Sequence, residues 1–379
     1  MIQLSQDLVA GGDVIDFIIT ADGAHVLFRA DAELDQKIEL YRVPIAGGGV
    51  EKMNGPMVPA GDVFDYVMTP DLTHVVYSAT QNDFRRRELY SRSLSSGSVA
   101  KLNGPIGIDE FAGHLTPTSD SARVVYTVGV GPPNITTTLH SAPIGGGTPS
   151  VLDTAGVGED FFVTADNQRV IYLTDQGRPT LYSVPMTGGA PTDLAGPNFE
   201  LRRGLYATSD RATAFFFGEE GQASVRLFTL DVSSGAVERL DDDPAADSYG
   251  VDISADDSTV LYCAGGDLRA IRLDGGASSS VFDLCRRFQS TPLLTADGTR
   301  AVSFDGDRLL AAPTDGSAAA RELTDFSPQG AETVPDVRFD ASGDRVVYVS
   351  DHVSHDRYEL YSVPWAGGPP SQLNESTSH

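Results

Sequence analysis

Lysine is nearly missing from this chain. Only Lys37, Lys52 and Lys101 occur in 379 residues, so almost all of the 27 basic residues are arginine, set against 53 Asp and Glu for a formal charge of −26. That excess repels phosphate backbones and anionic membrane surfaces, and no basic stripe offsets it, so nucleic acid is not expected as a partner. Long apolar runs are missing too: nothing approaches the roughly 20 residues that span a bilayer, so no membrane insertion is expected. The opening "MIQLSQ" begins in strand pattern, not as a basic-then-apolar leader. Cysteine is limited to Cys263 and Cys285. The first falls in a second strand of its repeat and the second just past the fourth, about 10 Å apart by strand spacing, so free thiols are expected. No stretch shows a sustained helical period, which predicts almost no helix.

What is present is repetition. The phrase "LYRVPIAGG" from Leu40 returns from Leu89, Leu139, Leu181, Leu227, Leu268, Leu309 and Leu360, eight copies in all. Successive starts lie 49, 50, 42, 46, 41, 41 and 51 residues apart, within the range of propellers and solenoids. A second phrase, "TADGAHVLF" and its seven variants, alternates with the first from end to end. Within one unit, "DVIDFIIT", "HVLFRA", "IELYRVPI" and "VEKMN" read as four short strands divided by Asp-Gly and Gly-Gly turns. One such sheet buries too little to stand alone, and radial repetition supplies neighbours on both faces. The fold class that follows is all-β: an eight-bladed β-propeller of four-stranded antiparallel blades, one domain over residues 1–379. The repeats are placed at 13–54, 62–103, 109–153, 157–195, 201–241, 247–284, 288–325 and 333–374. Residues 1–6 align on the outer strand of the first repeat, so they and "PSQLNE" compete for one slot in the eighth blade; an N-terminal strand placed there would clasp the ring.

The pair "[ST]-x-D-G-x-x-V-x-Y" and "L-Y-x-V-P-x-x-G-G" resembles the TolB-like β-propeller repeat across essentially the whole chain. The resemblance implies a periplasmic or extracellular home, with cytoplasmic residence left open. The family includes periplasmic scaffolds, the gating propellers of prolyl-oligopeptidase-type enzymes and carbohydrate-active propellers. TolB itself differs, having six blades and a separate N-terminal domain where this chain has eight repeats.

The sequence is poor in catalytic signals. It has no G-x-S-x-G elbow, and "SVAK" at Ser98–Lys101 falls on an ordinary fourth strand. His25 and His74 share a slot with Arg123, Arg169, Arg300 and Arg345, which points to a structural surface role, and His140 replaces the third-strand tyrosine as a packing substitute. His352 and His355, flanked by Asp351 and Asp356, have metal-permitting spacing in a solvated loop. The sequons at Asn134 and Asn374 are too short to carry weight. Six residues before each turn aspartate, near the start of the first strand, stand Asp16, Asp65, His114, Asp160, Gly204, Gly250, Thr291 and Asp336. In a ring, Asp336, Asp16, Asp65, His114 and Asp160 form a continuous acidic arc at one channel mouth. Such an arc needs solvation, a Ca²⁺-like divalent cation, or a basic ligand group, and Arg202, Arg203, Arg286 and Arg287 precede the opposite, neutral side. No cofactor is otherwise expected.

Three functions remain in view. The first is a non-catalytic scaffold that binds a protein or peptide at the face carrying the first-strand starts. The second is a metal-assisted carbohydrate lyase or hydrolase using the arc. The third is a detached regulatory propeller of an oligopeptidase.

Overall fold

In the computed structural model, residues 3–130, 137–154, 156–174, 179–196, 199–220, 224–241, 248–273, 277–282, 292–304, 308–325, 336–350 and 358–374 are described. Cys285, Arg286, Arg287, Thr291, His352 and His355 lie outside them. The described residues form no helix. They form eight four-stranded antiparallel sheets, each a meander in which consecutive strands are neighbours. The sheets, numbered 1 to 8 in chain order, cover residues 14–52, 63–101, 110–153, 157–193, 199–239, 248–282, 293–325 and 336–372. Two compact units contain them: Met1–Gly196 holds sheets 1 to 4, and Pro197–His379 holds sheets 5 to 8.

Each recurring phrase acquires a physical role. At the turn between first and second strands, the threonine hydroxyl donates to the aspartate two residues on, at 2.6 Å from Thr20 to Asp22 and 2.5 Å from Thr118 to Asp120. The same hydroxyl accepts the amide of the residue five along, His25 or Arg123, at 3.0 Å. The aspartate accepts a backbone amide as well, so its charge is stabilised: the Thr118 hydroxyl and then the Ala122 amide hold Asp120 below the ordinary carboxylate range. At the other hairpin, proline ends the third strand and the glycine pair makes the turn. Gly47, at φ 85°, donates its amide to the Pro44 carbonyl at 2.9 Å.

Alternation along the strands delivers apolar residues to both sheet faces. Inside Met1–Gly196, buried clusters join Leu27 and Leu40 to Val75 and Tyr77, Val76 and Leu89 to Val124 and Tyr126, and Val125 and Leu139 to Val170 and Tyr172. Inside Pro197–His379, similar clusters join sheets 5 and 6, 6 and 7, and 7 and 8. Within most sheets a stacked aromatic pair crosses the second and third strands: Tyr77 on Tyr90 at 5.5 Å, and Tyr348 on Tyr361 at 5.6 Å. His140 takes its place in this column, stacked on Tyr126 at 5.3 Å, and burial lowers its pKa to about 4, so it packs there as a neutral ring.

One expectation needs correction. Cys263 is not a free thiol but is held in a disulfide. The strand spacing counts from a fourth strand that ends at Phe282, and Cys285 lies outside the described residues. Of the two segments that compete for the last strand of the eighth repeat, residues 3–6 carry no strand. Leu4 packs with Leu8 and Val50 against sheet 1, while Ser371–Gln372 fills the outermost place in sheet 8. The short loop from the third strand makes the local hairpin the entropically cheaper partner.

Candidate functional site

In a four-stranded meander, the start of the first strand, the loop between second and third strands and the end of the fourth strand all share one end of the sheet. The positions singled out near the first-strand starts lie there. In sheets 1 to 6 the pairing of the first strand with the second slips at or beside these positions: between Val14 and Asp16, Val63 and Asp65, around His114, and between Val157 and Phe161, Leu201 and Leu205, and Tyr249 and Val251. These are β-bulges or wider irregularities of pairing, which bend a strand and re-aim its side chains. They account for the residue types found: Gly204 and Gly250 adopt φ 110° and 65°, and His114 adopts φ 51°.

Most of the candidate residues have local partners. Asp16 forms a two-pronged ion pair with Arg29, whose Nε stands 3.0 and 3.1 Å from the two carboxylate oxygens, and it accepts the Tyr66 hydroxyl at 3.1 Å. The Arg29 hydrogen bond holds the Asp16 carboxyl below its usual pKa, and burial followed by the Asp16 charge pushes the Tyr66 hydroxyl up. Arg29 also donates to the carbonyls of Val63 and Phe64, tying sheet 1 to the bulge of sheet 2. Asp65 accepts the amide of its own neighbour, Tyr66, at 2.8 Å. His114 Nδ1 is 3.1 Å from the Thr127 hydroxyl, and Asp160 is half-buried on Val157–Val163. In the other unit, Asp336 pairs with Arg338 at 2.9 Å. Arg202 is bonded to Glu219; the Arg203 side chain lies outside the description. Among the described residues, no three of His, Cys, Asp and Glu stand close enough to hold a metal ion. Lys101 pairs with Glu88, and Ser98 bonds Ser96, so "SVAK" builds no nucleophile and base.

Sequence reading passed over the loop "NDFRRREL" of sheet 2, although it contains the only run of three basic residues in the chain. Arg85 reaches Asp109 at 2.6 Å, and Arg86 approaches Asp83 at 3.7 Å. Arg87 instead approaches two rings, its guanidinium carbon 4.5 Å from the centroid of Phe64 and 5.1 Å from that of Phe111. Its backbone is fixed as well: the amide donates to Glu110 at 3.2 Å, and the carbonyl accepts from Ala112 at 2.8 Å. At the same end of sheets 1 to 3, Leu34, Phe64, Phe84 and Ile108 are 57, 40, 64 and 52 % exposed. Two cavities of about 470 and 410 Å³ occur at the opposite, hairpin end of sheets 6 to 8, one lined by Thr295, Arg300 and Gly343 and the other by Thr259, Ile271 and Thr314.

No family model matches the sequence, and no curated protein matches it. Solved structures do resemble it. Dipeptidyl peptidase 4 of Porphyromonas gingivalis superimposes with a TM-score of 0.60 at 12 % identity, over 89 % of this chain and 57 % of that one. A prolyl endopeptidase gives a TM-score of 0.48 at 14 % identity, over 97 % of this chain and 50 % of the other. An oligogalacturonate lyase from Vibrio parahaemolyticus gives 0.49 at 13 %, over 91 and 88 %. This chain thus spans about half the length of the two peptidases. These neighbours are propeller-type proteins, and they share the repeated four-stranded sheets described above.

Proposed function

We propose that the chain is an eight-bladed propeller of TolB-like type that binds a protein or peptide segment at the end of the sheets where the first strands begin, without chemistry of its own. One observation carries this reading. At that end of sheets 1 to 3, Asp16 and Arg85 are matched to local partners while Phe64, Phe84, Ile108 and Leu34 face solvent. Matched charges lose the reactivity a catalyst needs, whereas large apolar side chains exposed at the same end are what a docking segment buries. The disulfide at Cys263 agrees with an oxidising compartment, periplasmic or extracellular.

The test is to pan a random heptapeptide display library on the full chain and to measure binding of the recovered peptides by calorimetry. The reading expects saturable one-to-one binding, weakened at least tenfold by Phe64→Ser or Phe84→Ser. In parallel, oligogalacturonate is incubated with the chain in manganese or calcium. Appearance of an ultraviolet-absorbing unsaturated product would show β-elimination and sink the non-catalytic reading.

A further inference from the structure

The described arginines of Met1–Gly196 mostly spend their guanidinium groups on neighbours. Those of Arg29, Arg85 and Arg92 meet carboxylates, and those of Arg123 and Arg169 meet the hydroxyls of Ser141 and Ser183. Arg87 differs. None of its guanidinium N–H groups has an acceptor among the described residues, and its Nε is buried as well. Burial disfavours its charge and the nearby Asp65 restores only part of that, so the cation is held partly desolvated. Arginine does not lose its proton under these conditions, and a desolvated charge without a hydrogen-bond partner is costly.

The geometry leaves one way to satisfy it. Phe64 and Phe111 both stand within cation–π distance of the guanidinium carbon. Nε is enclosed. What remains is the end edge, the two Nη groups, whose parallel N–H bonds match the two oxygens of one carboxylate. The ring of Phe64, in contact with the guanidinium, is half-exposed, and Phe84 and Ile108 are exposed at the same end of sheets 2 and 3. A guest bearing several negative charges would be repelled by Asp65 and by the net charge of −26.

We propose that Arg87 anchors a carboxylate-binding site, and that the segment received at this face is a peptide carrying one carboxylate among apolar residues. This rests on the peptide-binding reading above and adds the chemistry of the anchor. The rings hold the guanidinium in place before the guest arrives, so little side-chain entropy is lost on binding.

Hippurate, an aryl amide with one carboxylate, serves as the minimal probe, with its neutral amide as control, and the side-chain Nε–Hε signals of the ¹⁵N-labelled full chain are followed. The expected result is a saturable shift of the signal that disappears in Arg87→Gln, with no shift from the amide. Arg87→Lys keeps the charge and loses the fork, so it retains intermediate affinity; thermal melts of both variants confirm folding. For peptides recovered by display, replacing the acidic residue with its amide costs at least tenfold against the natural chain and nothing further against Arg87→Gln. Equal binding of hippurate and its amide, or unchanged affinity in Arg87→Gln, overturns the assignment. Peptides that bind independently of any carboxylate overturn it while leaving the peptide-binding reading intact. Recovery of no peptide and no response to hippurate overturns both. Galacturonate shifting the Arg87 signal where hippurate does not would overturn the peptide source in favour of a sugar acid.

Discussion

Asp340 and Ser342 trade the places that threonine and aspartate hold in the other turns. Elsewhere a hydroxyl donates to the carboxylate two residues on and accepts the amide five residues along, as Thr164 does with Asp166 and Arg169. In sheet 8 the carboxylate of Asp340 receives the Arg345 amide at 3.1 Å, and the hydroxyl of Ser342 donates back to it at 2.8 Å. One bond thus persists with its partners exchanged, and the turn depends on having one acid and one hydroxyl, not on which comes first. Ser342→Asp puts two carboxylates within hydrogen-bond distance, so one pKa is driven up. The melting temperature is expected to fall at pH 7 on the order of 2–4 °C, the scale of one such contact in a unit of this size. The loss should vanish as the pH drops through the raised pKa and should be cancelled by adding Asp340→Thr. A loss of equal size at pH 4 and pH 7 would mean that charge is not the cause. The turn itself was legible in the sequence, since T-x-D-G has its own chemistry. The dual role of the threonine was not, because donor and acceptor directions appear only once the amide five residues on folds back.

At the scale of the strand, the phrase "L-Y-x-V-P-x-x-G-G" has a second half that sequence reading left among variable fourth strands. The amide of Leu40 donates to Asn54 at 2.8 Å, that of Leu89 to Asn103 at 2.7 Å, that of Leu227 to Asp241 at 2.9 Å and that of Leu360 to Asn374 at 2.9 Å, always across 14 residues. The residue before the amide or acid is apolar, and Met53 and Leu102 are buried, so the core pulls the strand end inward and the side-chain oxygen latches it. The signal was present as an apolar residue followed by Asn or Asp at fixed spacing, but it is short and its partner lies across a hairpin. Burial decides what each latch is worth. Asn103 is 6 % exposed over a fully buried Leu89, so Asn103→Ala strands a buried N–H and is expected to cost about 1–3 kcal/mol. The bond at Asn374 is exposed, water replaces it, and Asn374→Ala is expected to cost less than about 0.5 kcal/mol. Urea unfolding of the two variants checks this, and equal losses would show that the latch does not act by satisfying a buried donor. The bulges that aim Asp16, Asp65 and His114 had the same limited legibility: the positions could be counted out from the turn, but the slip in pairing that defines them could not.

For the molecule as a whole, the scarcity of lysine returns as an energetic statement. Lys37 and Lys52 stand 3.8 and 2.8 Å from the buried Glu39, and Lys101 pairs with the buried Glu88, so all three lysines are committed to sheets 1 and 2. The remaining acid excess, −26 over the chain, repels itself at low ionic strength. Salt acts on this balance in two directions. It weakens exposed ion pairs such as Arg85–Asp109 and Lys52–Glu33, each worth only about 0.2–1 kcal/mol. It also screens the repulsion among the unmatched carboxylates, because the Debye length shrinks from roughly 30 Å at 0.01 M to about 8 Å at 0.15 M. With 53 acids against 27 bases, 26 carboxylates are left without a cation even if every base is paired, and the second effect wins. The melting temperature is therefore expected to rise between 10 and 300 mM NaCl, equally in KCl, and then to level off once neighbouring charges are screened. Scanning calorimetry at fixed pH decides it: a continued rise in sulfate alone would indicate salting-out of apolar surface, and a flat or falling curve in NaCl would show that the ion pairs outweigh the acid excess.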